Sequence, residues 1–374
     1  MKLTLIAGAR PNFMKLAPLV AALQAAGNRP RIVHTGQHYD EKMSETFFRE
    51  LNIPRPDCNL EVGSGSHVFQ IAEVMRRLEE DLLAHRPDAV VVVGDVNSTL
   101  SAAIAAQKTG IRVAHVEAGL RSNDRDMPEE INRVLTDAIS DWLFTSEAGA
   151  RDNLHREGIP DERIHFVGNV MIDTLLAQLP QARNLRYYES LKLAPGTYQV
   201  VTLHRPSNVD NPERLKSILA ALQTLNERLA TVFVVHPRTR KRIEEFGLAA
   251  GIVAGGFRMI EPLGYTAMLS LVDSARLVLT DSGGLQEETT ALGVPCLTLR
   301  ENTERPITIE HGTNALVGWK TSAILEGAAE ALVETATAKR VPEKWDGKAA
   351  VRIVDVLSAE IDGKSRGSSE TRSE

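Results

Sequence analysis

Two cysteines in 374 residues, Cys58 and Cys296, are too few for a disulfide framework or a structural zinc site. No apolar run approaches the ~18 residues that a membrane span needs. The opening segment turns into Arg10-Pro11 without a secretory core or a small-residue cleavage site, so a cytoplasmic location and no membrane partner are expected. A basic excess is missing too. Lys and Arg number 43 against 49 Asp and Glu, a formal net charge of −6, which speaks against a nucleic-acid partner. The chain has no G-x-G-x-x-G after its first apolar run, no G-x-x-x-x-G-K-[ST], no H-E-x-x-H and no C-x-x-C. Nicotinamide oxidoreductases and P-loop kinases lose ground accordingly. No metal-ligand cluster stands out, and no cofactor is expected.

What is present is the composition of a folded globular protein, 43% hydrophobic and 25% charged, with length for two domains at roughly 150 residues each. Short β-branched runs alternate with helical periodicity. Strands are expected at 3–7, 31–34, 89–93, 112–116, 142–145 and 164–167, with helices at 14–26, 67–84, 102–106 and 128–139 between them. A helix at 170–179 and a polar helical lead-in over 181–195 follow. The rhythm then restarts, with strands at 199–203, 232–235, 259–260, 277–280 and 296–299 and a helix at 212–229. Apolar runs without alternation mark strands covered on both faces, as in a parallel sheet under helices. The expected class is α/β, with two doubly wound domains facing a cleft, at 1–170 and 171–348. Residues 364–374, Ser/Arg/Glu-rich, are expected to be a frayed tail.

Ligands of open parallel sheets bind beyond the carboxyl ends of the strands. Those ends carry Gly8-Ala9-Arg10, Gly94-Asp95, Glu117-Ala118-Gly119, His204-Arg205, His236-Pro237 and Asp281-Ser282-Gly283-Gly284. Titratable groups beside glycines point to a cleft with convergent acids, bases and cations. Ser282, Gly283 and Gly284 open a helix whose N–H groups suit a phosphate or diphosphate, or else Ser282 is a plain N-cap. Glu288 follows within reach of ribose hydroxyls. Arg10 and Lys15 can supply positive charge, although Lys15 also fits an ordinary surface lysine. Asp95 and Glu117 end neighbouring strands and can share acid and base roles. Glu129 and Glu130 read first as acids favoured by the helix dipole of their first turn, ahead of any chemical role. His204 reads as a phosphate partner, a proton carrier or a structural histidine.

These motifs occur in order with Lys15-Leu16-Ala17-Pro18, Thr35-Gly36-Gln37-His38, His115-Val116-Glu117-Ala118-Gly119-Leu120-Arg121, Pro128-Glu129-Glu130-Ile131-Asn132-Arg133 and Thr303-Glu304-Arg305-Pro306. The ordered set resembles the non-hydrolysing UDP-N-acetylglucosamine 2-epimerases over nearly the whole chain. The resemblance implies a GT-B-like fold of two Rossmann-like domains with the active site between them. It also implies a last helix at about 349–361 returning to the first domain, a homodimer, and a UDP-sugar substrate. UDP-GlcNAc and UDP-ManNAc would interconvert by loss of the C2 proton with departure of UDP, through a 2-acetamidoglucal, and re-addition. On this resemblance Asp95, Glu117 and Glu129 are the acid/base carboxylates, and His204 assists at the diphosphate. Arg10, Lys15, Ser282, Gly283 and Gly284 hold phosphates or sugar, and Arg305 binds nearby. Glu288 holds ribose, and uracil lies along 263–268, between Leu263 and Met268.

Some positions depart from the family pattern. Asn12 stands where many relatives have Glu, and the loop after His204 reads Arg205-Pro206-Ser207-Asn208. The second-substrate site of bacterial members would match at Gln37 and His236, but Asp40 replaces its second glutamine and 63–66 offers no arginine. Substrate activation in its usual form is therefore not expected. Two relatives in kind remain as readings: a hydrolysing 2-epimerase releasing UDP and ManNAc, and a 2-epimerase of a diacetamido uronic acid nucleotide, in which Arg121 or Arg205 would meet the extra carboxylate. A GT-B glycosyltransferase is more distant, since three such carboxylates are hard to justify there. A silent sugar-nucleotide sensor would lack them.

Overall fold

A computed structural model describes residues 1–8, 10–36, 48–249, 251, 255–333 and 341–370, without the side chains of residues 10, 11 and 362–370. The chain divides into two units, Met1–Thr174 together with Glu343–Glu374, and Leu175–Pro342.

In the first unit the strands are β1 (Leu3–Ala7), β2 (Arg31–His34), β3 (Cys58–Asn59), β4 (Ala89–Val93), β5 (Arg112–Ala118), β6 (Trp142–Thr145) and β7 (Ile164–Phe166). They form one sheet in the order β3-β2-β1-β4-β5-β6-β7, parallel throughout. The helices are α1 (Arg10–Ala25), α2 (His67–His85), α3 (Asn97–Lys108), α4 (Pro128–Ile139) and α5 (Gly149–Arg156). The chain passes to the second unit within α6 (Val170–Leu185). β1 and β4 read LTLIA and AVVVV and are buried along their whole length, as strands roofed on both faces must be. On one face, Val74, Leu78 and Leu82 of α2 meet Ala102, Ala103 and Ala106 of α3 over Val90 and Val92. Small side chains on α3 let the two helices close; each leucine so buried contributes roughly 1.5–3 kcal/mol.

The second unit holds β8 (Tyr198–Leu203), β9 (Ala230–Val235), β10 (Arg258–Ile260), β11 (Leu277–Thr280), β12 (Cys296–Thr298) and β13 (Asn314–Leu316). Their order is β10-β9-β8-β11-β12-β13, again all parallel. Its helices are α7 (Tyr187–Ser190), α8 (Pro206–Val209), α9 (Pro212–Asn226), α10 (Pro237–Glu245), α11 (Tyr265–Asp273), α12 (Gly283–Leu292), α13 (Ile307–Glu310) and α14 (Thr321–Val333). Leu215, Ile218 and Leu222 of α9 pack over Val201, Phe233 and Leu279. Asn211 caps α9 by accepting from the N–H groups of Glu213 and Arg214, with Pro212 at its first position, where no N–H is needed.

Both sheets are of the doubly wound type, with the order reversing between β1 and β4 and between β8 and β11. The expected α/β class is thus present in both units. α6 runs through Pro180 to Leu185 rather than stopping at residue 179. The last helix, α15 (Ala349–Glu370), keeps helical backbone well past the expected tail start at 364. Residues 371–374 of that tail lie outside the described residues. α15 packs against α1. Just before it, Trp345 is buried and donates from Nε1 to Ser146 O at 3.0 Å. Asp173 accepts from the N–H groups of Ala349 and Ala350 at 3.2 and 2.7 Å, which caps α15. No helix among the described residues is long and apolar enough to cross a membrane.

Candidate active site

In the first unit the candidate residues gather at the β1/β4 switch. Gly8 follows β1, and a Cβ there would stand 2.6 Å from Ser98 Cβ. Asn12 ties the two strand ends: its Oδ1 accepts from Gly8 N at 3.1 Å and its Nδ2 donates to Val93 O at 3.0 Å. Arg10 opens α1, its side chain lying outside the described atoms. Lys15 is not a surface lysine. It is buried, and its Nζ lies 2.6 Å from Glu117 Oε2. The amine fits because position 94 is glycine, where a Cβ would stand 2.7 Å from Nζ.

Glu117 is itself unusual. It is buried, with φ of +75°, and the pairing register of β5 with β6 shifts between Val116 and Ala118. A bulky residue in left-handed backbone costs about 1 kcal/mol or more and persists only where its surroundings demand it. The bulge re-aims the side chain at the end of the strand.

Asp95 follows Gly94 at the end of β4 and is 24% exposed, with Oδ2 2.5 Å from Arg133 Nη1. Its main-chain O accepts from Asn132 Nδ2 at 2.8 Å. Arg133 also spans to Glu130 Oε2, at 3.0 Å from Nε and 2.8 Å from Nη2. Burial pushes the Glu130 carboxyl up, but the Ser122 N–H, Arg133 and the Asn123 N–H outweigh it and hold the group below its ordinary range. Glu130 is therefore a structural anchor. Glu129, one residue earlier, is half-buried, and no hydrogen bond or ion pair reaches it from a described residue. Behind the strand ends, His115 Nδ1 donates to Asp137 Oδ1 at 2.6 Å and Nε2 to Gly94 O at 2.8 Å. Asp137 also takes Gly119 N and Arg121 Nη2.

In the second unit the focus is the β8/β11 switch. His204 and Arg205 follow β8; Asp281 and Ser282 follow β11. Asp281 is fully buried and accepts from His204 N, Arg205 N and Asn208 Nδ2 at 3.0–3.2 Å. His204 Nδ1 lies 2.9 Å from its Oδ1. Burial raises the Asp281 carboxyl, yet the His204 ring and these N–H groups bring it below the ordinary value. An anion holding Nδ1–H leaves Nε2 for a ligand, and the His204 side chain is 41% exposed.

Ser282 occupies the N-cap of α12 but makes no side-chain capping hydrogen bond. The first-turn N–H groups, at Gly283 and Gly284, are left for solvent or an anion. A Cβ at Gly283 would stand 3.0 Å from Glu304 Oε1, which brings 303–305 against that turn. Glu304 pairs with Arg300 at 2.8 Å and loosely with Arg205 at 3.4 Å. Arg305 is buried and its Nε lies 2.7 Å from Glu287 Oε1. Glu288, also buried, neighbours Glu287 and interacts with the Tyr265 hydroxyl. Leu263 and Met268 are half-buried, before and within α11; the N–H of Met268 is spent on Gly264 O.

Of the remaining expectations, His236 caps α10 by accepting from Arg238 N at 3.2 Å, its ring 6.0 Å from that of His204. Gln37 and Asp40 lie outside the described residues. Arg121, one of two cations weighed for a sugar carboxylate, is buried against Asp137 and Glu157. Three participants had no role in the sequence reading: Arg133, Asp137 and His115. For the two on α4 the signal was spacing: Arg133 is three after Glu130 and four before Asp137, which puts Glu130, Arg133 and Asp137 on one helix face; His115, on β5, had none. Among the described residues no group of three or more His, Cys, Asp or Glu is placed to hold a metal ion.

Two doubly wound parallel sheets, each gathering charged side chains at its switch point, define an α/β protein built of Rossmann-like units. The chain matches the family described as UDP-N-acetylglucosamine 2-epimerase over residues 21–358, and it belongs to that family. It is 46% identical over 364 residues to a UDP-N-acetylglucosamine 2-epimerase of Methanocaldococcus jannaschii, covering 96% of this chain and 99% of the other. A crystal structure of the M. jannaschii UDP-GlcNAc 2-epimerase in complex with UDP-GlcNAc and UDP superposes with a TM-score of 0.88, at 45% identity, over 96% of this chain and 99% of that one. A UDP-2,3-diacetamido-2,3-dideoxy-D-glucuronate 2-epimerase of Pseudomonas aeruginosa is 42% identical over 340 residues, 90% of this chain and 93% of its own.

Proposed function

We propose that the protein is a non-hydrolysing epimerase that interconverts UDP-GlcNAc and UDP-ManNAc. A carboxylate takes the C2 proton of the sugar while the C1–O bond to UDP breaks, leaving a 2-acetamidoglucal and UDP. A second acid returns a proton to the opposite face of C2, and UDP adds back at C1. Asp95, Glu117 and Glu129 carry the proton transfers. His204 donates to the diphosphate as its charge grows, and Arg10, Lys15, Ser282, Gly283, Gly284 and Arg305 hold phosphates or sugar. Glu288 accepts from ribose, and the 263–268 segment takes uracil through backbone groups at Leu263 and Met268.

The observation that carries this reading is the unequal setting of the carboxylates in the first unit. Glu117 is held by Lys15 in left-handed backbone, Asp95 is tied at one oxygen, and Glu129 is unengaged. Carboxyls in different surroundings are what separate acid and base roles. A second reading, a diacetamido uronic acid nucleotide as substrate, is favoured by the Pseudomonas relative. Arg205, only loosely paired, is then the cation for the extra carboxylate. The protein is proposed to be a homodimer, which the exposed apolar side chains Ile131 and Leu135 of α4 and Val68 and Phe69 of α2 favour.

Incubation with UDP-GlcNAc in heavy water, followed by NMR, tests the reaction. UDP-ManNAc with deuterium at C2 and little free UDP is the expected result. Stoichiometric UDP with ManNAc would overturn the non-hydrolysing assignment, and exchange only with the diacetamido uronic acid nucleotide would select the second reading. Asp95→Asn should lose ~10³-fold or more in turnover while still binding UDP. Light scattering tests the dimer.

A further inference from the structure

α4 is built inside out. It buries Glu130, Asn132, Arg133, Thr136 and Asp137 and leaves Ile131 and Leu135 more than 40% exposed. A helix that spends its buried face on charges forgoes apolar burial worth roughly 1.5–3 kcal/mol per large side chain. Those charges need partners, and the partners here are the ends of β4 and β5. Residue 95 is gripped twice by successive residues of α4, at its carbonyl by Asn132 and at its carboxylate by Arg133. One turn on, Asp137 holds His115, which donates to the carbonyl of Gly94.

We propose that Arg133 is a positioning residue for the epimerisation, with its guanidinium clamped by Glu130 so that its remaining nitrogen, Nη1, fixes one oxygen of Asp95 and turns the other toward the C2 proton. The proposal rests on the reading of Asp95 as an acid/base group. The geometry is that of a planar fork used on two sides. Nε and Nη2 share Glu130 Oε2, and Nη1 alone reaches Asp95 Oδ2. Glu130 cannot swing away, because Ser122 N, Ser122 Oγ and Asn123 N also donate to it at 2.9–3.1 Å. The guanidinium is therefore fixed from behind, and Asp95 Oδ1 has no hydrogen bond from a described residue. Lysine has one point charge where this arrangement needs three separate N–H directions. A misplacement of about 1 Å at a proton-transfer group costs on the order of 10²-fold in rate.

Two variants and a coupling measurement test the clamp. Arg133→Lys keeps the charge and loses the fork. Arg133→Met combined with Glu130→Gln removes the clamp without leaving a buried, unpaired carboxylate, which guards against simple unfolding. Both should lower kcat by roughly 10–100-fold, with KM and UDP affinity within about threefold of wild type. Arg133→Lys introduced into Asp95→Asn should slow C2 deuterium wash-in by less than about threefold, because a residue acting through Asp95 has nothing left to position. A kcat within threefold of wild type in both variants, a loss matched by weaker UDP binding and a lower melting temperature, or a full multiplicative loss on top of Asp95→Asn would each overturn the proposal. Wild-type turnover by Asp95→Asn would overturn the acid/base reading instead, whatever Arg133 does.

Discussion

Glu288 is a carboxyl whose surroundings invert its ordinary chemistry. Burial pushes it up to about 8, with the Tyr265 hydroxyl pulling down and the Glu287 carboxylate pushing further up. Between its ordinary value of 4.5 and about 8, the folded chain holds a proton that the unfolded chain has released. The stability this group contributes is full below 4.5 and is lost as pH rises through about 8. Asp281 has the opposite sign, since its folded value is lowered from 3.8; its contribution is present above that value and disappears on acidification. Glu288→Gln should therefore flatten the alkaline decline, with a melting temperature that gains on wild type between about pH 5 and about pH 8. Thermal melts across that range check it, and parallel curves for the two proteins would show that Glu288 is ionised in the native state. A neutral Glu288 carries an O–H that can donate as well as oxygens that can accept.

Among the elements, β4 and α4 mark the range of what the sequence reveals. β4 was legible at 89–93 from five apolar residues, and the helix at 128–139 from Pro128 and its acidic first turn. Which side of α4 faces inward was not legible, because apolar periodicity implies that Ile131 and Leu135 are buried. β3 (CN) and β13 (NAL) contain no β-branched residue, unlike the similarly short β7, β10 and β12, and so carry no strand signal. Lys15 taken alone reads more readily as a surface lysine, since burial of an amine depends on a carboxylate a hundred residues away. The glycine between β4 and Asp95 links these elements. Gly94 has φ of +68° and leaves room for the Lys15 amine, so Gly94→Ala should displace Lys15 from Glu117 and strain the backbone together. A loss of ~1–3 kcal/mol in urea unfolding and at least about tenfold in turnover are expected. Wild-type values for both would show that the strand end has slack.

At the scale of the whole molecule, the first unit is made from two stretches of chain separated by all of the second. The later stretch is bound by Trp345 against Ser146, by Asp173 at the start of α15 and by Gly168, where a Cβ would strike Lys344 O at 2.0 Å. Trp345→Ala should cost ~3–5 kcal/mol. Hydrogen exchange should show the loss in amides of the first unit, α1 and β7 included, while those of β8–β13 keep their protection. Equal loss in both units would mean that they unfold as one.

That return of the chain sets an order of events during synthesis. The residues of the second unit are contiguous, so it can fold as soon as it has left the ribosome. The first unit, although it emerges earlier, must wait while the whole second unit is translated, on the order of ten seconds at ~5–20 residues per second. In that interval the α1 surface that α15 will cover is open to chaperones and to other nascent chains. A ribosome stalled anywhere between Leu175 and Trp345 therefore carries a first unit that lacks its closing segment.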